Sequence, residues 1–325
     1  MRAVVCKVWG GVDDLVVEDV AAPAVGHGDV LIRARAAGIN FADTLIIAGR
    51  YQTRPEPPFI PGFEVAGEVI RCGAGVTACR PGDAVIAIVD YGAFAEEVAA
   101  PESNVYRLPA GVEPAIGAAF PIAYGTTHLA LTHRAGLEAG QTLLVHGAAG
   151  GVGLTAVEVG KLLGATVIAT ATGEEKCAIA RAAGADHTID SRAPDLRERV
   201  KALAEGRGVD VVYDPVGGAL FEASVRCTAP GGRMMIVGFA SGEFPQIPAN
   251  ILMVKNIAVI GFHWGAYRTL APDAMRGSME ELLRWLAEGR LKPRVSRTFP
   301  LADAVAALTA LKERRTTGKV VLTTG

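Results

Sequence analysis

The residues best suited to chemistry lie in one short run, His146 to Gly153, which reads HGAAGGVG after the apolar stretch TLLV. A strand, a glycine-rich turn and a helix in that order expose backbone amides at the positive end of a helix dipole, where a pyrophosphate binds. The dinucleotide pattern GxGxxG appears here as AxGxxG, carried by Ala148, Gly150 and Gly153. Its first glycine is gone. Gly150 still lets phosphates approach the backbone, and Gly153 lets the helix lie close to its strand. The competing reading is a tight strand-to-helix turn that binds nothing.

What is missing about twenty residues later selects between cofactors. An NAD site places Asp or Glu there for the ribose 2'-hydroxyl, whereas Ile168 to Thr172 reads IATAT. Threonine hydroxyls and a cation welcome a 2'-phosphate that a carboxylate would repel, and Lys176 follows within a turn. The expected cofactor is therefore NADPH, with Thr170, Thr172 and Lys176 on its ribose side. Glu174 and Glu175 oppose this, although at the start of a helix they also serve its dipole. Lys176 taken alone reads as a solvated helix residue.

These residues need a scaffold, and the chain is long enough for one of two domains: 325 residues, half of them apolar, with a formal net charge of -2. Up to about Pro121 the sequence is short β-like runs (AVVCKVW, LVVEDV, DVLIRARAAG, EVAGEVI, DAVIAIV, AFAEEVAA) broken by Pro and Gly turns. Beyond Thr126 strands alternate with amphipathic segments. Strands are expected at residues 143–146, 167–170, 187–189, 210–213, 233–237 and 257–260, the number in a doubly wound dinucleotide fold. A helix over MRGSMEELLRWLAEG, a second from Leu301 to Arg314 and a last strand GKVVLTT do not extend that set, so the chain is expected to return to the first domain. The boundaries assigned are 1–124, completed by 267–325, and 125–266.

Composition excludes several classes. No basic excess points to nucleic acid, and the opening MRAVVCKVWGGVDDL has no long apolar run, so a cytoplasmic protein without a membrane anchor is expected. Cys6, Cys72, Cys79, Cys177 and Cys227 are scattered, and the six histidines do not fall at ligand spacing with them. Neither disulfides nor a zinc site is expected.

The order GxNFxD (Gly38 to Asp43), GRY (Gly49 to Tyr51), PGFEVAGEV (Pro61 to Val69), AAGGVG and YDPVGG (Tyr213 to Gly218) resembles the zinc-free medium-chain dehydrogenases/reductases across nearly the whole chain, and most of all their NADPH:quinone oxidoreductase, zeta-crystallin-like group. The resemblance implies an α/β protein with a GroES-like β-barrel catalytic domain joined to a Rossmann domain with a six-stranded parallel sheet. It also implies an active site in the cleft between them, and a homodimer. Zinc-dependent relatives have a cysteine at the position of Asn40 and a histidine at that of Phe63, and neither replacement binds zinc usefully.

By the same resemblance Asn40 lies near the nicotinamide, Thr126 bonds the cofactor, and Ala149, Gly150, Gly151 and Val152 line the pyrophosphate. Val216, Gly238, Phe239, Phe262, His263 and Trp264 edge the nicotinamide pocket. Lys176 and Arg314 match 2'-phosphate ligands, Ser191 replaces a tyrosine of that site, and Glu158 replaces the group's usual glutamine. From the residues alone, Asn40 also reads as a turn cap, Phe262 and Trp264 as core, and Asp214 as a turn residue.

The expected reaction is hydride transfer from NADPH to a quinone or a similar α,β-unsaturated carbonyl, with Tyr51 as hydrogen-bond donor to the oxygen that becomes negative. Tyr51 as a packed loop aromatic is the alternative. The rival functions are an enoyl-thioester or alkenal reductase, for which Arg50, Arg54 and Arg268 would be rim cations, and an NADPH-binding structural or regulatory protein.

Overall fold

The structure is a computed structural model that describes residues 1–325. The chain divides into two compact units, Met1–Ile122 with Lys292–Gly325, and Ala123–Leu291. The return to the first unit falls at Lys292 rather than at residue 267.

The first unit opens with β1 (Arg2–Cys6) and β2 (Leu15–Asp19), which pair with each other, and β3 (Asp29–Ile39). Then come α1 (Phe41–Ile47), β4 (Glu64–Cys72), β5 (Ala84–Ile88), β6 (Glu97–Pro101), β7 (Val105–Arg107) and α2 (Pro114–Ala118). The alternation of apolar and polar residues along these runs turns one face inward. Val30, Ile32, Ile39, Val65 and Phe94 accordingly meet in one buried core.

The second unit takes in most of α3 (Pro121–Leu129), which widens into a π-helical turn over Ala130–Arg134. Its strands and helices then alternate: β8 (Thr142–Val145), α4 (Gly151–Leu162), β9 (Thr166–Ala171), α5 (Gly173–Ala182), β10 (His187–Asp190), α6 (Leu196–Leu203), β11 (Val209–Asp214), α7 (Gly218–Cys227), β12 (Thr228–Ile236), α8 (Ala249–Lys255) and β13 (Ala258–Gly261). All pairings are parallel in the order β10-β9-β8-β11-β12-β13, the doubly wound arrangement. Every residue of β11 is buried, as a strand covered on both faces requires. β12 starts five residues before its expected beginning at Arg233, because Thr228 pairs with Val209 ahead of a register shift. Pro230, Gly231 and Gly232 hid that extension from a reading of strand propensity.

A short helix α9 (Tyr267–Leu270) and the long α10 (Pro272–Ala287) follow, and they stay in the second unit. The reason is packing. Met275, Met279, Leu282 and Trp285 are buried, and His128 of α3 bonds Ser278 Oγ through Nδ1 at 2.9 Å while its ring meets Trp285 edge-on.

Back in the first unit, β14 (Val295–Pro300) leads through a 3-10 turn into α11 (Ala304–Lys312), and β15 (Lys319–Thr323) ends the fold. The helix expected from Leu301 to Arg314 is thus shorter at both ends. The first unit's larger sheet has seven strands in the order β14-β15-β3-β4-β5-β7, with β6 also paired to β3, and it is GroES-like. β15 lies antiparallel to the second half of β3, with Val320 opposite Ile39. That register brings the start of the last strand beside the end of β3, where Asn40 follows.

Candidate functional site

In the second unit the strand β8 ends at the glycine turn. Gly147 has φ +58, so the left-handed bend assigned to the lost first glycine is made one residue earlier. A Cβ on Gly153 would lie 2.7 Å from the carbonyl carbon of Gly147 and 3.0 Å from Cα of Ala148, so only glycine lets α4 approach this closely. Gly150 caps α4 and no side chain covers the helix N-terminus. The first amides of α4, from Gly151 and Val152 onward, thus have no side-chain acceptor, and the helix dipole adds to their pull on an anion. Below them, Thr127 Oγ1 ties Thr155 Oγ1 (2.7 Å) and Tyr213 OH (3.0 Å) into a buried floor, next to the predicted Thr126, which is itself buried.

At the ends of β9 and β10 the structure joins Thr172 and Ser191, whose hydroxyls lie 3.1 Å apart. Lys176 is half-buried on the first turns of the helix that follows. Arg192, which sequence reasoning missed, projects over the same turn, its guanidinium 3.5 Å from where a Cβ of Gly173 would stand. It pairs with Asp190 at 2.7 Å and holds that carboxyl far below the usual range. The one acid at these strand ends is therefore matched by a cation. Arg192 gives no sequence signal, because its value depends on β10 lying beside β9.

Several predicted ligands sit otherwise than expected. Thr170 is buried, and its Oγ1 lies 2.8 Å from His146 Nδ1. Ser224 Oγ donates to Leu220 O, so it accepts from His146 Nε2 at 2.6 Å, and Nδ1, which carries no proton in the neutral ring, accepts a hydrogen bond from the Thr170 hydroxyl. The Thr170 hydroxyl thus serves the interior of the sheet, not a ribose. Desolvation lowers the pKa of His146 and keeps the ring neutral. Ala149 is packed with Ala171 and Cys177 and presents no side chain.

Phe262 and Trp264 are core residues: Phe262 packs on Tyr267, and Trp264 covers Gly125, where a Cβ would come within 2.8 Å of the indole. Only His263 of that segment has an exposed side chain. Val216 does lie against the glycine turn, its methyl 3.1 Å from a Cβ position on Gly147. Asp214 Oδ1 accepts the amides of Val216 (2.8 Å) and Gly217 (2.9 Å), which is a turn role and not an acid's. Gly238 and Phe239 follow β12, with the Phe239 ring edge-on to Phe244.

In the first unit Asn40 precedes α1, and the Asp43 carboxyl group accepts its backbone amide at 2.6 Å. The Asn40 side chain does not cap the helix. Its Nδ2 donates to Glu64 Oε1 at 2.7 Å and its Oδ1 accepts from Lys319 Nζ at 2.6 Å. Lys319 also donates to Glu64 Oε1 (2.8 Å) and Ile39 O (2.7 Å), and Glu64 Oε2 accepts the Ile122 amide (2.8 Å). All four of Asn40, Asp43, Glu64 and Lys319 are buried. Burial pushes the Asp43 carboxyl up to about 8, against the opposing pull of the Asn40 amide and Lys319. The Tyr51 ring packs 5.3 Å from that of Phe63, the residue before Glu64. Arg314 stands exposed past the end of α11 with φ +57.

Comparison with known proteins agrees with this geometry. Residues 26–110 match the alcohol dehydrogenase GroES-like domain and residues 151–288 the family described as zinc-binding dehydrogenase. A quinone oxidoreductase-like protein 2 homolog of Nematostella vectensis is 40% identical over 99% of this chain and 89% of its own length. This chain is a member of the quinone oxidoreductase group of medium-chain dehydrogenases/reductases. A quinone oxidoreductase of Pseudomonas aeruginosa is 36% identical over 97% of both chains. The solved structure of Escherichia coli quinone oxidoreductase complexed with NADPH superposes with a TM-score of 0.92 at 31% identity over all of both chains.

One domain of this group carries a zinc-binding name, but the residues here do not fit the ion. Asn40 has committed its amide oxygen to Lys319, Phe63 offers a phenyl ring, and of the two carboxyl groups bonded to Asn40, Glu64 already holds an ammonium and Asp43 accepts the Asn40 backbone amide. No three His, Cys, Asp or Glu side chains are grouped to hold a metal.

Proposed function

We propose that this chain is an NADPH-dependent reductase that passes hydride to a quinone or a related α,β-unsaturated carbonyl without zinc. The observation that carries the reading is the uncapped N-terminus of α4, drawn against the turn at Gly147 by Gly153, which forms a cradle for a pyrophosphate. Gly150, Gly151 and Val152 would hold the phosphates. Thr172, Ser191, Lys176 and Arg192 would face a 2'-phosphate, and Val216, Gly238 and Phe239 would border the nicotinamide. The quinone oxidoreductase of E. coli complexed with NADPH supports the choice of cofactor.

When bound, NADPH supplies a hydride from its nicotinamide. A quinone that takes this hydride and one proton becomes a hydroquinone, and its oxygen gathers negative charge on the way. In the first unit, proposed as the catalytic domain, Asn40 and Tyr51 are the donors assigned to that oxygen. An electron-poor acceptor needs no Lewis acid, which suits a chain whose zinc positions hold Asn40 and Phe63.

We also propose a homodimer. β13 ends the six-stranded sheet with one edge unpaired, and Met253 and Val254 stand exposed on α8, the helix before it. A second copy would cover both. The five free cysteines suit the reducing cytoplasm, and no helix is long and apolar enough to cross a membrane.

The test is NADPH oxidation against 1,4-benzoquinone, 9,10-phenanthrenequinone, acrolein and crotonyl-CoA, with NADH in parallel. Turnover with the quinones and a preference for NADPH are expected. Turnover confined to crotonyl-CoA would make the chain an enoyl-thioester reductase, and NADPH binding without any turnover would make it a non-catalytic binder.

A further inference from the structure

We infer that Lys319 and Glu64 are positioning residues that fix the Asn40 carboxamide so that one amide hydrogen is left for the acceptor's oxygen. The role given to that hydrogen rests on the proposed reductase function; the positioning does not. Three hydrogens of Lys319 Nζ go to Ile39 O, Asn40 Oδ1 and Glu64 Oε1, at 2.6–2.8 Å. An ammonium has no fourth. Lys319 is therefore saturated and cannot itself donate to a ligand.

Glu64 accepts three bonds, with Oε1 taking Lys319 and Asn40 and Oε2 taking the Ile122 amide. Two opposite charges anchor the two ends of one neutral amide. The lysine can bond only to an oxygen and the carboxylate only to an N–H, so the carboxamide cannot flip without making both contacts repulsive. The first Nδ2 hydrogen is spent on Glu64, and the second is the one left over.

The surrounding backbone is shaped for this arrangement. A Cβ on Gly38 would come within 2.8 Å of the Glu64 carboxyl carbon and closer still to its oxygen and to Ala118 O, so glycine at that position of β3 makes room for the carboxylate. β15 delivers Lys319 from 279 residues away in sequence. A lysine almost wholly buried in a strand that continues VVL has no packing reason to be charged. Its partners supply one.

The test pairs turnover with amide exchange. Lys319→Met with Glu64→Gln removes both charges together and leaves no buried ion alone. We expect kcat with 1,4-benzoquinone to fall about tenfold with KM for NADPH within about twofold, and Asn40→Ala to lose a similar amount. The triple variant should be no slower than Asn40→Ala, because all three residues act through one amide. Losses that multiply would overturn the inference.

Side-chain amide NMR of Asn40 gives an answer that needs no turnover. One of its two hydrogens should be protected from exchange in the wild type, and neither in the paired variant. Equal exchange in both proteins would overturn the positioning role even in an active enzyme. Absence of turnover in the wild type would instead remove the reductase reading and leave the exchange result standing. If the paired variant does not fold, Lys319→Arg takes its place. A planar guanidinium keeps the charge but cannot send three bonds from one atom, so the Asn40 hydrogen should lose protection while the backbone amide spectrum remains that of a folded protein.

Discussion

Replacing Gly153 by alanine isolates the geometry on which cofactor binding is argued. The added Cβ would stand 2.7 Å from the carbonyl carbon and closer still to the carbonyl oxygen of Gly147, and 3.0 Å from Cα of Ala148. All of these are backbone atoms, so no rotamer change relieves the clash. Carbon atoms pack at about 3.5 Å or more, so the start of α4 must retreat from the turn by about 0.5–1 Å. Overpacking of this kind costs about 1–3 kcal/mol, and at about 2–4 °C per kcal/mol the melting temperature should drop by several degrees. A shift of that size also carries an amide out of the 2.7–3.2 Å window of a hydrogen bond.

Losing one bond to a charged phosphate is worth about 1.5–3 kcal/mol, so the NADPH Kd should rise about 10- to 100-fold. Gly277→Ala is the matched control. It lies within α10 with nothing near its Cβ position, and it should stabilise by about 0.5–1 kcal/mol with no change in binding. Fluorescence titration with NADPH and thermal melting read both quantities. If Gly153→Ala binds NADPH as tightly as the wild type, the turn is not the phosphate cradle, whatever happens to the melting temperature.

Three further outcomes are expected. Thr170→Val strands the Nδ1 acceptor of buried His146 and should cost about 1–3 kcal/mol in urea unfolding, with the preference for NADPH over NADH unchanged. A changed preference would return Thr170 to the ribose site. Lys176→Ala and Arg192→Ala should each weaken NADPH about tenfold and leave NADH alone, which parallel titrations would check. The third concerns pH. Folded Asp43 keeps its proton up to about 8, against an ordinary value of 3.8, so between these limits the folded state holds one proton more than the unfolded chain. Stability must then fall as pH rises across that range. Unfolding at pH 6 and pH 9 should show the loss in the wild type and a smaller one in Asp43→Asn; equal losses would mean Asp43 is already ionised at pH 6.

Local order in the chain was enough to establish the second unit. Strand and helix periods, the turn glycines and the missing acid after β9 are all properties of neighbours in sequence, and the sheet they form is parallel and doubly wound because connections of that length allow little else. The Asn40 and Tyr51 loops were legible as motifs for the same reason. Other features depended on distance along the chain. Thr170 looked like a ribose ligand until His146, 24 residues away, claimed its hydroxyl. Phe262 and Trp264 looked like a pocket rim until α3 and Tyr267 covered them.

The tertiary structure alone decided what surrounds Asn40. Asp43 and Glu64 stood inside quoted motifs and Lys319 inside a quoted strand, yet nothing in their spacing relates them. A buried ammonium is tolerable only where several oxygens converge on it, and that convergence comes from the antiparallel register of β15 on β3. Sequence thus specified which groups the protein possesses and the local shape of its glycine turn. Folding determined which of those groups remain available to a ligand, because a hydrogen bond already made inside the protein is no longer on offer.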